Sequence, residues 1–292
     1  FFHGILLVIL ALYIQNLPWM FKGEDIIIQW SKILKMSMNL NDEIEDQFLF
    51  INTSYSNQVV ERFDEYGFPA GNSVIVDRSE LNLFFKTINQ VDKHKFILLD
   101  IYIGEKTNED SSFKNQITKC RDLLTVSVAE EDSILKPVYK IPFALARVET
   151  LDDIFLKYKL IDDNYGKGIP VVMHERLQNT FHKKFYSLIK SDQGLGFNYF
   201  IPEIRISQFQ LLNLERHPLI NLHDINLLDR RSIEKLIANK IIVLGDFREH
   251  DSFELLTGEI SGPLLLINIY LSIKKGDHLI TPTFIGFLWI CF

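Results

Sequence analysis

Continuous apolar runs alternate with stretches of helical periodicity through the middle of the chain. Runs bounded by turn residues predict strands buried on both faces of a sheet, at residues 48–52, 96–102, 123–128, 168–173 and 240–246. Apolar positions at helical spacing predict helices at residues 23–45, 77–91, 110–121, 179–190, 229–238 and 262–273. Helices that alternate with buried strands indicate an α/β fold, a three-layer sandwich with a mostly parallel sheet.

Both ends of the chain are apolar. No Asp, Glu, Lys or Arg precedes Lys22, and residues 279–292 carry no charge. A transmembrane helix needs about 20 mostly apolar residues, and aromatic and basic side chains often mark its boundary. We therefore expect transmembrane helices to flank the fold, one at residues 1–21, truncated at its start, and the start of a second at residues 281–292. The alternatives are a signal peptide or core helix at the first end and a core strand at the second.

Two such spans would hold residues 22–280 as one domain on the far side of the membrane from both termini. We expect this domain in the periplasm or extracellular space, with the inner-membrane lipid bilayer as a partner and a homodimer possible through the spans. The net charge of −7 argues against a nucleic-acid partner. Cys120 and Cys291 provide no disulfide framework.

Acidic side chains follow two of the predicted strands. Asp100 lies at the end of one strand and Asp246 at the end of another, and His250 and Asp251 follow in the next loop. The carboxyl ends of parallel strands are where α/β proteins usually bind ligands. These four residues are therefore the candidate ligand-binding group, for an unknown small molecule or envelope ligand. The alternative is that the acids only cap neighbouring helices.

Catalytic motifs are incomplete in this chain. Gly245-Asp246 resembles the metal-binding Gly-Asp pair of metallophosphoesterases, but no Asp-x-His or Gly-Asn-His partner occurs at a suitable strand. The eight histidines show no metal-ligand spacing, which predicts surface or hydrogen-bonded side chains. Neither a Gly-x-Ser-x-Gly elbow nor a phosphate-binding loop is present. We therefore expect no catalytic residue, no metal and no cofactor; a hydrolase is the weakest of the functional hypotheses.

The order of elements resembles CHASE2, an extracytoplasmic sensor domain of bacterial receptors. The similarity rests on an early strand, an Arg-led helix, a strand ending in Asp-Ile, an Asp-led helix with its strand, and a C-terminal strand, loop and Asn-containing helix. These are Phe48–Asn52, Arg78–Leu81, Phe96–Ile101, Asp110–Val128, Lys240–Asp246, Asp251, Gly262-Pro263 and Asn268–Leu271. Thr257-Gly258 departs from the family's Thr-Pro turn.

The resemblance implies a sensor, or signal-input, domain that passes a signal through its helices to a kinase or nucleotide cyclase. Neither output domain occurs within the 292 residues. The helix that begins at Gly262 would be the coupling element, because it leads almost directly into the second predicted span. The resemblance supplies no ligand. The alternative hypothesis is a non-catalytic structural or assembly module of the cell envelope.

Overall fold

The structure is a computed structural model. It describes residues 2–18, 44, 46–63, 66, 68–104, 107, 110–130, 133–151, 153–211, 217–248, 251–256 and 258–291. The predicted helix at residues 23–45 and the candidate ligand-binding residue His250 therefore lie outside the described residues, apart from Ile44.

The described residues form nine helices and 20 strands, with eight successive strands between the third and fourth helices. The helices are α1 (Phe2–Gln15), α2 (Arg78–Val91), α3 (Asp110–Ile117), α4 (Ile169–Gln178), α5 (Gln208–Leu211), α6 (Leu222–Asn226), α7 (Arg230–Ile237), α8 (Gly262–Lys275) and α9 (Pro282–Cys291). The strands are β1 (Phe48–Asn52), β2 (Asn57–Phe63), β3 (Pro69–Val76), β4 (Phe96–Leu99), β5 (Leu123–Glu130), β6 (Ser133–Leu135), β7 (Phe143–Leu145), β8 (Thr150–Leu151), β9 (Ile154–Phe155), β10 (Tyr158–Lys159), β11 (Ile161–Asp162), β12 (Gly166–Lys167), β13 (His182–Phe185), β14 (Leu188–Ser191), β15 (Gly194–Phe197), β16 (Tyr199–Phe200), β17 (Leu219–Asn221), β18 (Ile241–Gly245), β19 (Ser252–Leu255) and β20 (Gly258–Ser261).

The central sheet has seven strands. Its order is β17-β1-β18-β4-β5-β6, and β7 also pairs with β5. The pairings are parallel except for that of β5 with β6. One row of paired residues crosses four strands, namely Phe50, Val243, Leu98 and Leu124. The strand order brings the carboxyl ends of β1, β18 and β4 to one edge of the sheet.

Each face of the central sheet packs against its own apolar layer. On one face, β1, β18 and β4 contact α2, α3, α6 and α7, and α2 contributes Leu81, Phe84 and Phe85. On the other face they contact α4 and α8. Helix α8 is buried along Gly262–Ile273, almost its whole length. A helix that is buried on all its faces belongs in the interior, which places α8 in the core.

The predicted fold class is wrong as a whole. Five smaller sheets accompany the central one among the described residues, so the fold is a mixed α/β fold rather than a plain three-layer sandwich. The predicted flanking transmembrane helices are also not supported, because none of the helices described is long and apolar enough to cross a membrane.

Two elements around residue 180 have a different secondary structure from the one predicted. The predicted strand at residues 168–173 is the start of α4, and the predicted helix at residues 179–190 is the hairpin β13–β14. Pro170 lies in the first turn of α4, where its missing N–H costs nothing. Asn179 ends α4 in a left-handed conformation, with φ of 51°. A short apolar run alone does not distinguish a buried strand from a buried helix.

The two terminal helices contact each other and the domain. A side-chain atom on Gly4 would lie 2.9 Å from the Trp289 ring, so α1 and α9 approach closely there. The ammonium group of Lys157 donates hydrogen bonds of 3.1 Å to the carbonyl oxygens of Gln15 and Leu17 at the end of α1. The side-chain oxygen of Asn16 accepts from the backbone N–H of Asn198 at 2.8 Å. These contacts fix the end of α1 on the domain.

Candidate functional site

Three of the four predicted ligand-binding residues lie together at the carboxyl edge of the central sheet. Asp100 follows β4, and its N–H donates to the carbonyl of Leu244 in β18 at 2.8 Å. Asp246 directly follows β18. The loop after it returns Asp251 to the same edge, where the Gly262 N–H donates to the Asp251 carbonyl at 2.7 Å. We call Asp100, Asp246 and Asp251 the acidic rim.

Two glycines allow the acidic rim to approach the N-terminus of α8. A Cβ atom on Gly245 would lie 3.3 Å from the Cβ of Asp100 and 2.5 Å from the Cγ of Pro263. A Cβ atom on Gly262 would overlap the carboxylate of Asp251. The side chains of the rim therefore occupy the space that ordinary residues would take at these two positions, next to the first turn of α8.

Burial and mutual repulsion govern the charge of the rim. Burial, together with the negative charge of Asp251, raises the pKa of Asp100 to about 8. Burial and the charge of Asp246 raise the pKa of Asp251 as well. The Asp100 carboxyl is thus largely protonated at neutral pH, although all three side chains are only partly buried. A positive charge that entered the rim would relieve the repulsion and displace a proton.

The capping alternative predicts the opposite direction for these pKa values. A carboxylate that only caps a helix is stabilised in its charged form by the N-terminal end of the helix dipole, which lowers its pKa. Asp77 and Asp229 show the ordinary arrangement, since each accepts two backbone N–H groups at the starts of α2 and α7. The pKa of the Asp229 cap is lowered, so the raised pKa values of Asp100 and Asp251 distinguish these two carboxyl groups from that cap.

A hydrogen-bonded pair from β1 supports the rim, and sequence reasoning missed it. The side-chain oxygen of Asn52 accepts from the Ser54 hydroxyl at 2.6 Å and from the Phe247 N–H at 3.3 Å. The Ser54 hydroxyl also contacts the carboxylate of Asp246. Asn52 in turn donates to the side chain of Asn221 at 3.2 Å. The only sequence signal was the polar residues directly after a buried strand.

The described residues contain no group of three or more His, Cys, Asp or Glu side chains that is arranged to hold a metal ion. The acidic rim thus has the charge for a cation without the ligand geometry for a metal. An organic ammonium or guanidinium group suits the rim better, because it needs hydrogen-bond acceptors rather than a fixed coordination sphere.

Three histidines form a buried cluster. The prediction of surface or hydrogen-bonded histidines is confirmed for His174, whose ring nitrogen lies 3.1 Å from the Thr180 hydroxyl, and is wrong for His278. His174, His182 and His278 are fully buried. Their ring centroids are 5.1 Å apart for His174 and His182 and 6.1 Å apart for His182 and His278. Neither ring nitrogen of His278 has a hydrogen-bond partner, and the Nδ1 of His182 lies 3.4 Å from the Glu175 carboxylate. Burial lowers the pKa of His174 to about 4 and that of His278 to about 3.

Comparisons with family models, with curated proteins and with solved structures find no match to this chain. The resemblance to CHASE2 therefore stays a prediction.

Proposed function

We propose that this chain is a signal-input domain without catalytic activity. It binds a positively charged small molecule at the acidic rim and passes the binding event on through α8. The observation that carries this proposal is the approach of Asp100 and Asp251 to Gly245 and Gly262 at the start of α8, with the pKa values of both carboxyl groups raised. The resemblance to CHASE2 supports the same class of function. Its extracytoplasmic location stays a prediction.

A cationic ligand follows from the electrostatics of the rim. Three partly buried carboxyl groups repel one another, and protonation of Asp100 is the response of the free protein. An ammonium or guanidinium group would replace that proton as the compensating charge. Binding should therefore release a proton, and affinity should increase as the pH rises toward 8.

Helix α8 connects the rim to a segment that is hydrogen-bonded to the rest of the fold. It ends at Gly276, and its 14 residues span about 21 Å at 1.5 Å per residue. Beyond it, the His278 carbonyl accepts from the Phe197 N–H at 2.8 Å, and the Ile280 N–H donates to the Leu195 carbonyl at 2.8 Å. A ligand with different affinity for two positions of α8 would thus shift the segment that leads into α9.

Thermal unfolding with charged probes tests the proposal. Spermidine, arginine and ethanolamine serve as cationic probes, with size-matched neutral and anionic compounds beside them. A cationic probe at about 100 times its Kd should stabilise the protein by about 2.7 kcal/mol. The double variant Asp246→Asn with Asp251→Asn should fold and lose this response.

A matched control removes the same charge from the opposite edge of the sheet. Asp92 and Asp122 lie at the amino ends of β4 and β5, where both contact Arg121. Both have left-handed φ values, 48° and 52°, which asparagine also adopts. The variant Asp92→Asn with Asp122→Asn should keep the response to the cationic probe. An equal response in the rim variant, or stabilisation by anionic probes alone, would refute the proposed ligand class and favour a structural module.

A further inference from the structure

A buried arginine lies on the other face of the sheet from α8. Arg78 is the first residue of α2, and its side chain is 0% exposed. None of its three guanidinium nitrogens has a hydrogen-bond partner. Arg78 belongs to the layer of α2 and α3, so it is independent of the acidic rim on the side of α8. Its five N–H donors are directed into protein without an acceptor.

The surroundings of Arg78 supply an aromatic face and a second donor, but little negative charge. The guanidinium carbon lies 5.4 Å from the centre of the Phe113 ring. Burial and the nearby Asp110 carboxylate raise the pKa of the Tyr139 hydroxyl, which makes no hydrogen bond of good geometry. Burial lowers the pKa of Arg78, against the smaller opposing effects of Tyr139 and Asp110. Among the described residues, no carboxylate lies within 4.0 Å of the Arg78 guanidinium as an ion-pair partner.

This arrangement lowers the stability of the folded protein. A buried charge is tolerated in proteins when hydrogen bonds and an opposite charge compensate it, and Arg78 lacks the hydrogen bonds. The guanidinium lies over the Phe113 ring, and its N–H groups are left without an acceptor. A planar fork of donors suits the paired oxygens of a carboxylate or a phosphate.

We propose that Arg78 and Tyr139 form the donor side of a binding site for a small oxyanion, a carboxylate or a phosphate group. The site lies at the start of α2, on the same edge of the sheet as the carboxyl ends of β1 and β4. Asp110, in the first turn of α3, is the partly exposed member of the group. The oxyanion supplies the acceptors that Arg78 and Tyr139 lack.

The variants Arg78→Met and Tyr139→Phe test this site, with inorganic phosphate and malonate as separate probes and chloride of equal ionic strength as the reference. Both probe anions also stabilise proteins generally by exclusion from their surfaces, so the response of Arg78→Met measures that background. The wild-type protein should show a larger rise in Tm than Arg78→Met with at least one probe. Whichever probe gives the larger excess identifies the oxyanion.

Stability without a probe distinguishes the binding site from a structural arginine. Methionine has a similar length and no charge, so Arg78→Met should unfold at a higher temperature than the wild-type protein in chloride. Tyr139→Phe should fold normally and weaken the response to the probe. A lower Tm for Arg78→Met with an unchanged anion response would overturn the proposal. If Arg78→Met does not fold, the absence of phosphate and malonate binding to the wild-type protein in calorimetry would overturn it equally.

Discussion

Replacement of Asp100 by asparagine should stabilise this protein. Asparagine keeps the shape of the side chain and removes the charge that burial and Asp251 disfavour. In the wild-type protein these two effects raise the pKa of Asp100 from 3.8 to about 8. A carboxyl with such a pKa is mostly protonated in the folded protein at pH 7, whereas the same side chain is ionised in the unfolded chain.

The magnitude follows from the gap between pH 7 and the pKa of 3.8 in the unfolded chain. Each pH unit of that gap corresponds to about 1.4 kcal/mol, so proton uptake at pH 7 costs folding about 4 kcal/mol as an upper limit. Asp100 is only partly buried, and solvent and local relaxation reduce this cost. We therefore expect Asp100→Asn to raise the free energy of unfolding at pH 7 by about 1 to 3 kcal/mol.

Urea denaturation from pH 4 to pH 9 measures this effect. A raised carboxyl pKa means that the folded state binds more protons than the unfolded state between the two values. The contribution of Asp100 to stability is therefore favourable at low pH and is lost as the pH rises from about 4 to about 8. The difference between the variant and the wild-type protein should be small at pH 4 and grow toward pH 8.

Asp162 provides a control of opposite sign. Burial raises its pKa, but the hydrogen bond from the Lys159 ammonium at 2.7 Å, the charge of Lys159 and the backbone N–H groups of Asn164 and Tyr165 together outweigh burial, and the pKa is lowered. Asp162→Asn should therefore destabilise the protein by about 1 to 2 kcal/mol at pH 7. If Asp100→Asn lowered stability to the same extent as Asp162→Asn, with no dependence on pH, the reasoning about the acidic rim would be refuted.

Two further predictions concern other buried groups. The rings of His174 and His278 are neutral in the folded protein, so the free energy of unfolding should fall as the pH drops from about 6.5 toward 4. The variant His278→Gln should reduce that loss in urea denaturation at acidic pH. An equal loss of stability in the variant would contradict this prediction. Asn268 is fully buried and makes four hydrogen bonds, including two with the backbone of Ile206 at 2.9 Å and one to the Leu264 carbonyl. Asn268→Leu should cost about 3 to 5 kcal/mol in denaturation, and a loss below about 1 kcal/mol would show that these bonds matter little.

The sequence was informative wherever a local pattern determines the structure. Strands β1, β4, β5 and β18 are continuous apolar runs, and those runs predicted the central sheet. The general rule for the carboxyl ends of parallel strands then placed Asp100 and Asp246 at one edge, although they are far apart in the chain. Composition was less reliable at the termini, because apolar residues predicted membrane spans where the described helices are too short.

Features that depend on contacts between distant residues were not predictable. Ser54 and Asp246 are 192 positions apart, and nothing in either local sequence signals their contact. The cluster of His174, His182 and His278 likewise arises from packing between α4, β13 and the end of α8. Arg78 was noted in the sequence only as the start of a helix, because neither burial nor the lack of a partner is visible from a single chain of letters.

Hydrogen exchange of α8 tests the central claim most directly. Amide exchange is measured by mass spectrometry for the wild-type protein and for the Asp246→Asn, Asp251→Asn variant, each with and without the cationic probe that gives the larger thermal response. The account predicts slower exchange at the start of α8 and in residues 276–282 of the wild-type protein, and no change in the variant. Slower exchange that is absent from both segments, or that persists in the variant, would contradict it.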